Sequence, residues 1–326
     1  MDINYRILWF EDTDESYETL SRRTERYVNS KNLKCKIDRI WGASDFDIAK
    51  IDLNEFEILV VDLRLSDNSK GFDIINAIRN GNYVNDILFY SAEGLDALDG
   101  IMKENRLEGV YISDRNHKTF MPKIQRLIDK SIRRSENVIS IRGIVMDETS
   151  EFDTQMREIT NAALVYMSLD ERNSLKAYIK RLLMESAKTA AELADNYEMT
   201  DEWEISDVLQ ERDFNSMMKA KTLNRILNIG QNMRIRNVVD KCKDALPQAF
   251  NGSKAVFVKA YDDEVIKFRN ELAHVKNLNA QMPVFIGTIN GVDYCCDTEF
   301  CSMIRSRLIR YGDWFTMLYK MLANEE

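Results

Sequence analysis

Three carboxylates are set apart by where they fall in the chain. Glu11 and Asp12 directly follow an apolar run over 5–10, and Asp62 directly follows another over 56–61. If those runs are parallel strands, their carboxyl ends form one crevice, and the acids meet in it. Three converging carboxylates repel one another unless a hard cation neutralises them, and Mg²⁺ prefers such an oxygen-rich, partly hydrated site. The spacing therefore implies Mg²⁺ held by Glu11, Asp12 and Asp62. Ser91 ends the run 87–90 and can offer a hydroxyl to a phosphoryl oxygen, and Tyr111 lies on the run 109–112, placed to move with occupancy of the site.

A second pair lies far along the chain, in Phe268-Arg269-Asn270-Glu271-Leu272-Ala273-His274-Val275. A neutral imidazole can accept a hydroxyl proton near pH 7, and a permanently charged guanidinium suits a phosphate on which negative charge builds up. Asn270 can add a hydrogen bond to the same phosphate. On an ideal helix, however, Arg269 and His274 sit about 140° apart, flanking the apolar stripe Tyr261, Val265, Phe268, Leu272 and Val275. One helix cannot converge them, whereas two facing helices from two chains can. The other histidine, His117, falls in the loop Arg115-Asn116-His117-Lys118 and reads as a solvated residue. Cys295, Cys296 and Cys301 lack the paired spacing of a structural zinc site.

The elements that must position these residues change character midway. Apolar runs over 5–10, 35–41, 56–61, 87–90 and 109–112 alternate with helical patterns, which predicts five strands in a doubly wound parallel sheet. The third and fourth are almost continuously apolar, as central strands covered on both faces should be. A helix over 120–134 closes the module. Beyond Arg142-Gly143 the apolar residues fall at helical spacing, as in Phe152, Met156, Ile159, Ala163 and Tyr166, or Ile304, Leu308, Tyr311, Phe315, Leu318 and Leu322 in the last helix. The second part therefore reads as an all-α bundle, interrupted by a small β-hairpin over 284–295 around Asn290-Gly291. The expected division is a first domain over 1–136, a linker over 137–150 and a helical domain over 151–326.

Ile7-Leu8-Trp9-Phe10-Glu11-Asp12, Val60-Val61-Asp62-Leu63-Arg64-Leu65 and Phe89-Tyr90-Ser91-Ala92 resemble the receiver domains of bacterial response regulators. The resemblance implies a flavodoxin-like fold, phosphoryl acceptance at Asp62 from a sensor histidine kinase, and Mg²⁺ held by Glu11, Asp12, Asp62 and the backbone carbonyl of Arg64. The family's lysine after the fifth strand is absent; Ser113-Asp114-Arg115 stands there, with Arg115 and Lys118 the cations at hand. The segment from Phe268 to Val275 resembles the R-x-x-x-x-H motif of HEPN domains, many of which are metal-independent ribonucleases. That resemblance implies a homodimer whose Arg269 and His274 cleave RNA through the ribose 2′-hydroxyl. A non-enzymatic signalling adaptor, with an inactive HEPN-like domain that dimerises or binds a nucleotide, is the alternative.

Composition narrows the rest. A chain of 326 residues, 44% hydrophobic and 30% charged with three prolines, is that of a soluble two-domain protein. The net charge of −9 and the missing recognition-helix pattern argue against a DNA-binding regulator. No apolar run suits a membrane span, the first residues do not suit a signal peptide, and five unpatterned cysteines suggest reduced thiols, so a cytoplasmic protein is expected. Arg234, Arg236, Lys241 and Lys243, or Arg305, Arg307 and Arg310, could guide RNA but more simply form solvated helix faces.

Overall fold

The alternation of apolar side chains along the first strands decides which helices cover which face. The computed structural model describes residues 3–65, 70–81, 83–84, 86–105, 109–185, 203–275 and 283–323. Five strands, β1 (Asn4–Phe10), β2 (Lys34–Ile40), β3 (Ile58–Asp62), β4 (Ile87–Ser91) and β5 (Val110–Asp114), form one sheet in the order β2-β1-β3-β4-β5. Every pairing is parallel. Tyr5, Ile7, Trp9, Ile58, Val60, Leu88 and Tyr90 point to one face, where α1 (Asp14–Asn29) and α4 (His117–Ser135) pack Leu20, Val28, Phe120, Ile124 and Ile128 onto them. Leu8, Phe10, Leu59, Val61, Ile87 and Phe89 point to the other, against Ile74, Ile75 and Ile78 of α2 (Gly71–Asn80) and Leu98 of α3 (Leu95–Asn105). β3 and β4 are buried throughout, which is why their sequences are apolar runs without alternation.

Two compact units divide the chain: residues 1–140 with 297–305, and residues 141–296 with 306–326. The expected linker over 137–150 is instead helical, lying within α5 (Val138–Leu164). Residues 297–305, expected in the second domain, group with the first unit. Arg305 and Glu136 form an ion pair at 3.0 Å, each 4% exposed, and Thr298 donates to the same carboxylate at 2.9 Å. Asn32 adds a hydrogen bond to Ser302 at 2.9 Å. A buried pair of this sort costs desolvation and is held by its surrounding hydrogen bonds.

The second unit is helical, with α6 (Leu169–Met184) opened by a capping box between Ser168 and Glu171. Helices Ser216–Ile229, Met233–Ala245 and Lys267–His274 follow, the last preceded by a π-helical turn at Asp262–Ile266. Tyr261, Val265, Phe268 and Leu272 are buried as the stripe predicts, while Val275 is the residue that ends the helix. The hairpin pairs Val284–Ile289 with Val292–Cys296, and Asn290 and Gly291 both take positive φ, the requirement of a two-residue primed turn. Phe152, Phe257, Tyr261, Tyr311, Trp314 and Phe315 make one aromatic cluster. No described helix is long and apolar enough to cross a membrane.

Phe152 is fully buried and packs its ring against Tyr261 and Phe315 of that cluster. Phe152→Ala is expected to destabilise the helical unit by about 4 kcal/mol, measured as an earlier urea transition in helical circular dichroism; an unchanged transition would remove Phe152 from the core.

Candidate functional site

The strand order places β1 between β2 and β3, so β1 and β3 run out side by side where the connections diverge to opposite faces. Glu11 and Asp12 stand at the end of β1, and Asp62 is the last residue of β3. Carboxylate oxygens of these three residues lie within 4.8 Å of one another. Glu11 is 0% and Asp62 1% exposed, so these two acids are removed from water and not merely displayed on loops, while Asp12 is partly exposed. The first residue of α2 lies close against Asp62: a Cβ on Gly71 would stand 1.9 Å from the Asp62 carbonyl oxygen, so only glycine fits there.

Each oxygen of the group has an identifiable environment. Glu11 Oε2 accepts from the Tyr90 hydroxyl at 2.7 Å, and Oε1 from the Thr13 N–H at 2.9 Å. Arg115 sets its guanidinium 2.6 Å from Asp62 Oδ2 and 3.6 Å from Glu11 Oε2. Among the described residues, Asp62 Oδ1 is buried and has no hydrogen-bond partner. An orphaned carboxylate oxygen inside a set of three oxygen donors fits a hard divalent cation such as Mg²⁺.

Burial raises the Asp62 carboxyl from 3.8 to about 7; the neighbouring Glu11 charge pushes the same way, and Arg115 opposes both. Glu11 is also raised, mainly by burial, with the Tyr90 hydrogen bond acting against it. Burial and the neighbouring carboxylate thus outweigh Arg115 at Asp62.

Ser91 is buried at the end of β4, one position beyond Tyr90, the register partner of Asp62. Its hydroxyl accepts from the Glu93 N–H at 3.0 Å. Arg115 is aimed by its own backbone, whose N–H donates to the Ser91 carbonyl at 2.9 Å and so extends the β4–β5 ladder by one step. Of the two cations that sequence offered, the structure brings in Arg115; Lys118 is exposed on the first turn of α4. Arg64 lies two residues past Asp62, with its side chain paired to Glu93 and its backbone in an isolated bridge with Lys70. Tyr111 stands apart from the acids, 39% exposed, its hydroxyl bonded to Lys130 at 2.6 Å. His117 is exposed and lines an open groove of ≈ 700 Å³ with Ser16, Thr19, Ala92 and Arg115.

Sequence reading missed Tyr90 and Arg39. Arg39 lies between the rings of Tyr17 and Trp41, at 4.3 and 3.5 Å, and donates to the Glu11 carbonyl at 2.8 Å. A polar tip on an otherwise apolar central strand was the available signal for Tyr90; Arg39 on β2 carried none.

In the helical unit, Arg269 is half-buried, and Asn270 and His274 are exposed on the helix Lys267–His274. Arg269 and His274 are both on the regular helix after the π turn, so their angular separation stays about 140°. Among the described residues, Arg269 Nε is buried without a hydrogen-bond partner, and so is the hydroxyl of nearby Tyr261.

No family model matches the chain, and no curated protein matches it. Among solved structures it is similar to a signal receiver domain from Vibrio parahaemolyticus, at 17% identity and TM-score 0.30, covering 40% of this chain and 95% of that one. A CheY-like response regulator receiver domain protein from Methanospirillum hungatei gives 15% identity and TM-score 0.30, over 40% and 98%. Response regulator DrrB of Thermotoga maritima, an OmpR/PhoB homologue, gives 15% identity and TM-score 0.26, over 35% and 46%. These neighbours lie over the N-terminal ~40% of the chain.

Burying a carboxyl whose ordinary value is 3.8 and whose folded value is about 7 favours folding while it is protonated and costs stability once it ionises. In chelator, the parent is therefore expected to lose melting temperature relative to Asp62→Asn as pH rises through that window, and Mg²⁺ is expected to restore it. A difference that stays flat with pH would contradict the buried acidic site.

Proposed function

We propose that the first unit is a response-regulator receiver that accepts a phosphoryl group on Asp62 from a sensor histidine kinase. The observation that carries this reading is Asp62 itself: buried, with Oδ2 on Arg115 and Oδ1 unpartnered among the described residues, inside a group of three carboxylates. Glu11, Asp12, Asp62 and the backbone carbonyl of Arg64 are the groups that would hold Mg²⁺. When bound, Mg²⁺ supplies the positive charge that lets two anions, the carboxylate and the phosphoryl group, approach. An Asp62 oxygen attacks phosphorus as the bond from phosphorus to the donor imidazole nitrogen breaks, and that nitrogen keeps the electron pair.

Arg115 replaces the ammonium expected at this position with a planar guanidinium, which can face two phosphoryl oxygens at once. Its present ion pair with Asp62 must open or shift for the new group to enter. Ser91, at the end of the neighbouring strand, offers its hydroxyl to a phosphoryl oxygen, and Tyr111 with Lys130 lies where a rearrangement of β4 and β5 would be felt.

For the helical unit, the reading is a metal-independent ribonuclease assembled in a homodimer, with His274 as base, Arg269 on the phosphate and Asn270 beside it. The half-buried Arg269, with no hydrogen bond or ion pair among the described residues, favours an external anion. The whole would then be a phosphorylation-regulated effector; its alternative is an adaptor that dimerises or binds a nucleotide without cleaving RNA.

Incubation with acetyl phosphate and Mg²⁺ is expected to add one phosphoryl group by intact mass, absent in Asp62→Asn and slowed about tenfold or more in Arg115→Ala. Labelling that persists in Asp62→Asn would assign the acceptor elsewhere. Separately, the dimeric protein is expected to cleave RNA in the presence of chelator, with activity lost in Arg269→Ala and in His274→Ala; folded, dimeric protein without cleavage would leave the adaptor.

A further inference from the structure

We propose that Tyr90 is a positioning residue for the cation site: its hydroxyl, held in turn by Trp9, fixes the Glu11 carboxylate so that its remaining lone pairs face Asp12 and Asp62. The inference rests on the reading of the acidic group as a cation site and adds a support to it.

Glutamate is one methylene longer than aspartate, so it brings an additional torsion to a position where a few tenths of an ångström matter to a small cation. At Glu11 two bonds to the carboxylate remove that freedom and another holds the backbone. Tyr90 donates to Oε2 at 2.7 Å, the Thr13 N–H donates to Oε1 at 2.9 Å, and Arg39 Nε holds the main-chain carbonyl at 2.8 Å. Two of these holds come from backbone or from a surface-side arginine. The third comes from inside the sheet core, where a hydroxyl is costly unless both its donor and acceptor capacity are used.

Both are used. The Tyr90 oxygen accepts from Trp9 Nε1 at 3.0 Å while its proton goes to Glu11, giving a buried chain from Trp9 through Tyr90 to Glu11. All three residues are fully buried. Hydrogen bonds arranged head to tail polarise one another in such surroundings. The Tyr90 ring cannot swing away, because Phe120 meets it at 5.2 Å and Trp9 at 6.3 Å, both edge-on. A phenylalanine would fill the same space. The hydroxyl is therefore explained by what it holds, and among the described residues it holds only Glu11 and Trp9.

The test uses the full-length protein and Mn²⁺ as the probe, with free Mn²⁺ measured by electron paramagnetic resonance for the parent, Tyr90→Phe, Glu11→Gln and the double variant. Tyr90→Phe is expected to weaken Mn²⁺ binding about tenfold, the usual cost of losing a partner behind a metal ligand. In the Glu11→Gln background the same change is expected to cost nothing further, because Tyr90 acts through Glu11. Trp9→Phe, which keeps Tyr90 but removes its donor, is expected to show a smaller loss with the same non-additivity, and it serves if Tyr90→Phe proves unstable. Labelling by acetyl phosphate at saturating Mg²⁺ is expected to recover in Tyr90→Phe, since the acceptor is untouched. Parent-like Mn²⁺ binding by Tyr90→Phe, or an equal loss in both backgrounds, overturns the positioning role alone. A parent that binds no Mn²⁺ overturns the cation site and this proposal together.

Discussion

Charge crowded out of water at the ends of β1 and β3 is the constraint on which the first unit is organised. Three carboxylates within 4.8 Å, two of them essentially unexposed, cannot persist without compensation. Part of it is built in. Arg115 reaches Asp62 and Glu11, and Tyr90 and the Thr13 N–H satisfy Glu11. What is left over among the described residues is an Asp62 oxygen without a hydrogen-bond partner and a carboxyl lifted to about 7.

The sheet provides the rigidity that this arrangement needs. β3 and β4 are covered on both faces, so the backbone that carries Asp62 and Ser91 has no freedom to relieve repulsion by moving apart. Gly71 brings the return of the chain against the Asp62 carbonyl, and Arg115 is aimed by a backbone bond to Ser91. A single arginine therefore reports on the ends of three neighbouring strands.

The helical unit has a different logic. Its aromatic cluster and capped helices make an ordinary core, and the unusual features gather around one stretch: a π turn at Asp262–Ile266, the buried Tyr261 hydroxyl, and Arg269 just beyond. Irregular helical turns of this kind commonly accompany functional positions. Glu264 within the turn is held by Arg310 and Tyr311 at 2.6 and 2.9 Å, so the irregularity is tied down and not frayed.

Sequence by itself determined what depends on local pattern. The five strands, the two-sided burial of β3 and β4, the hairpin at Asn290-Gly291 and the convergence of Glu11, Asp12 and Asp62 follow from periodicity and from the rule that parallel strands gather their carboxyl ends. Tertiary structure alone decided what depends on distance through space. Arg115 was preferred over Lys118 because a backbone bond directs one and a helix turn carries off the other. Tyr90 met Glu11 across 79 residues of chain, and Arg305 found Glu136 across 169, drawing residues 297–305 into the first unit. Helical continuity through 138–164 covers the expected linker, because a change of unit leaves no periodic mark in the sequence when a helix carries the chain across it. Spacing along a chain fixes which side chains share a face; which faces meet is set by packing that the local pattern does not encode.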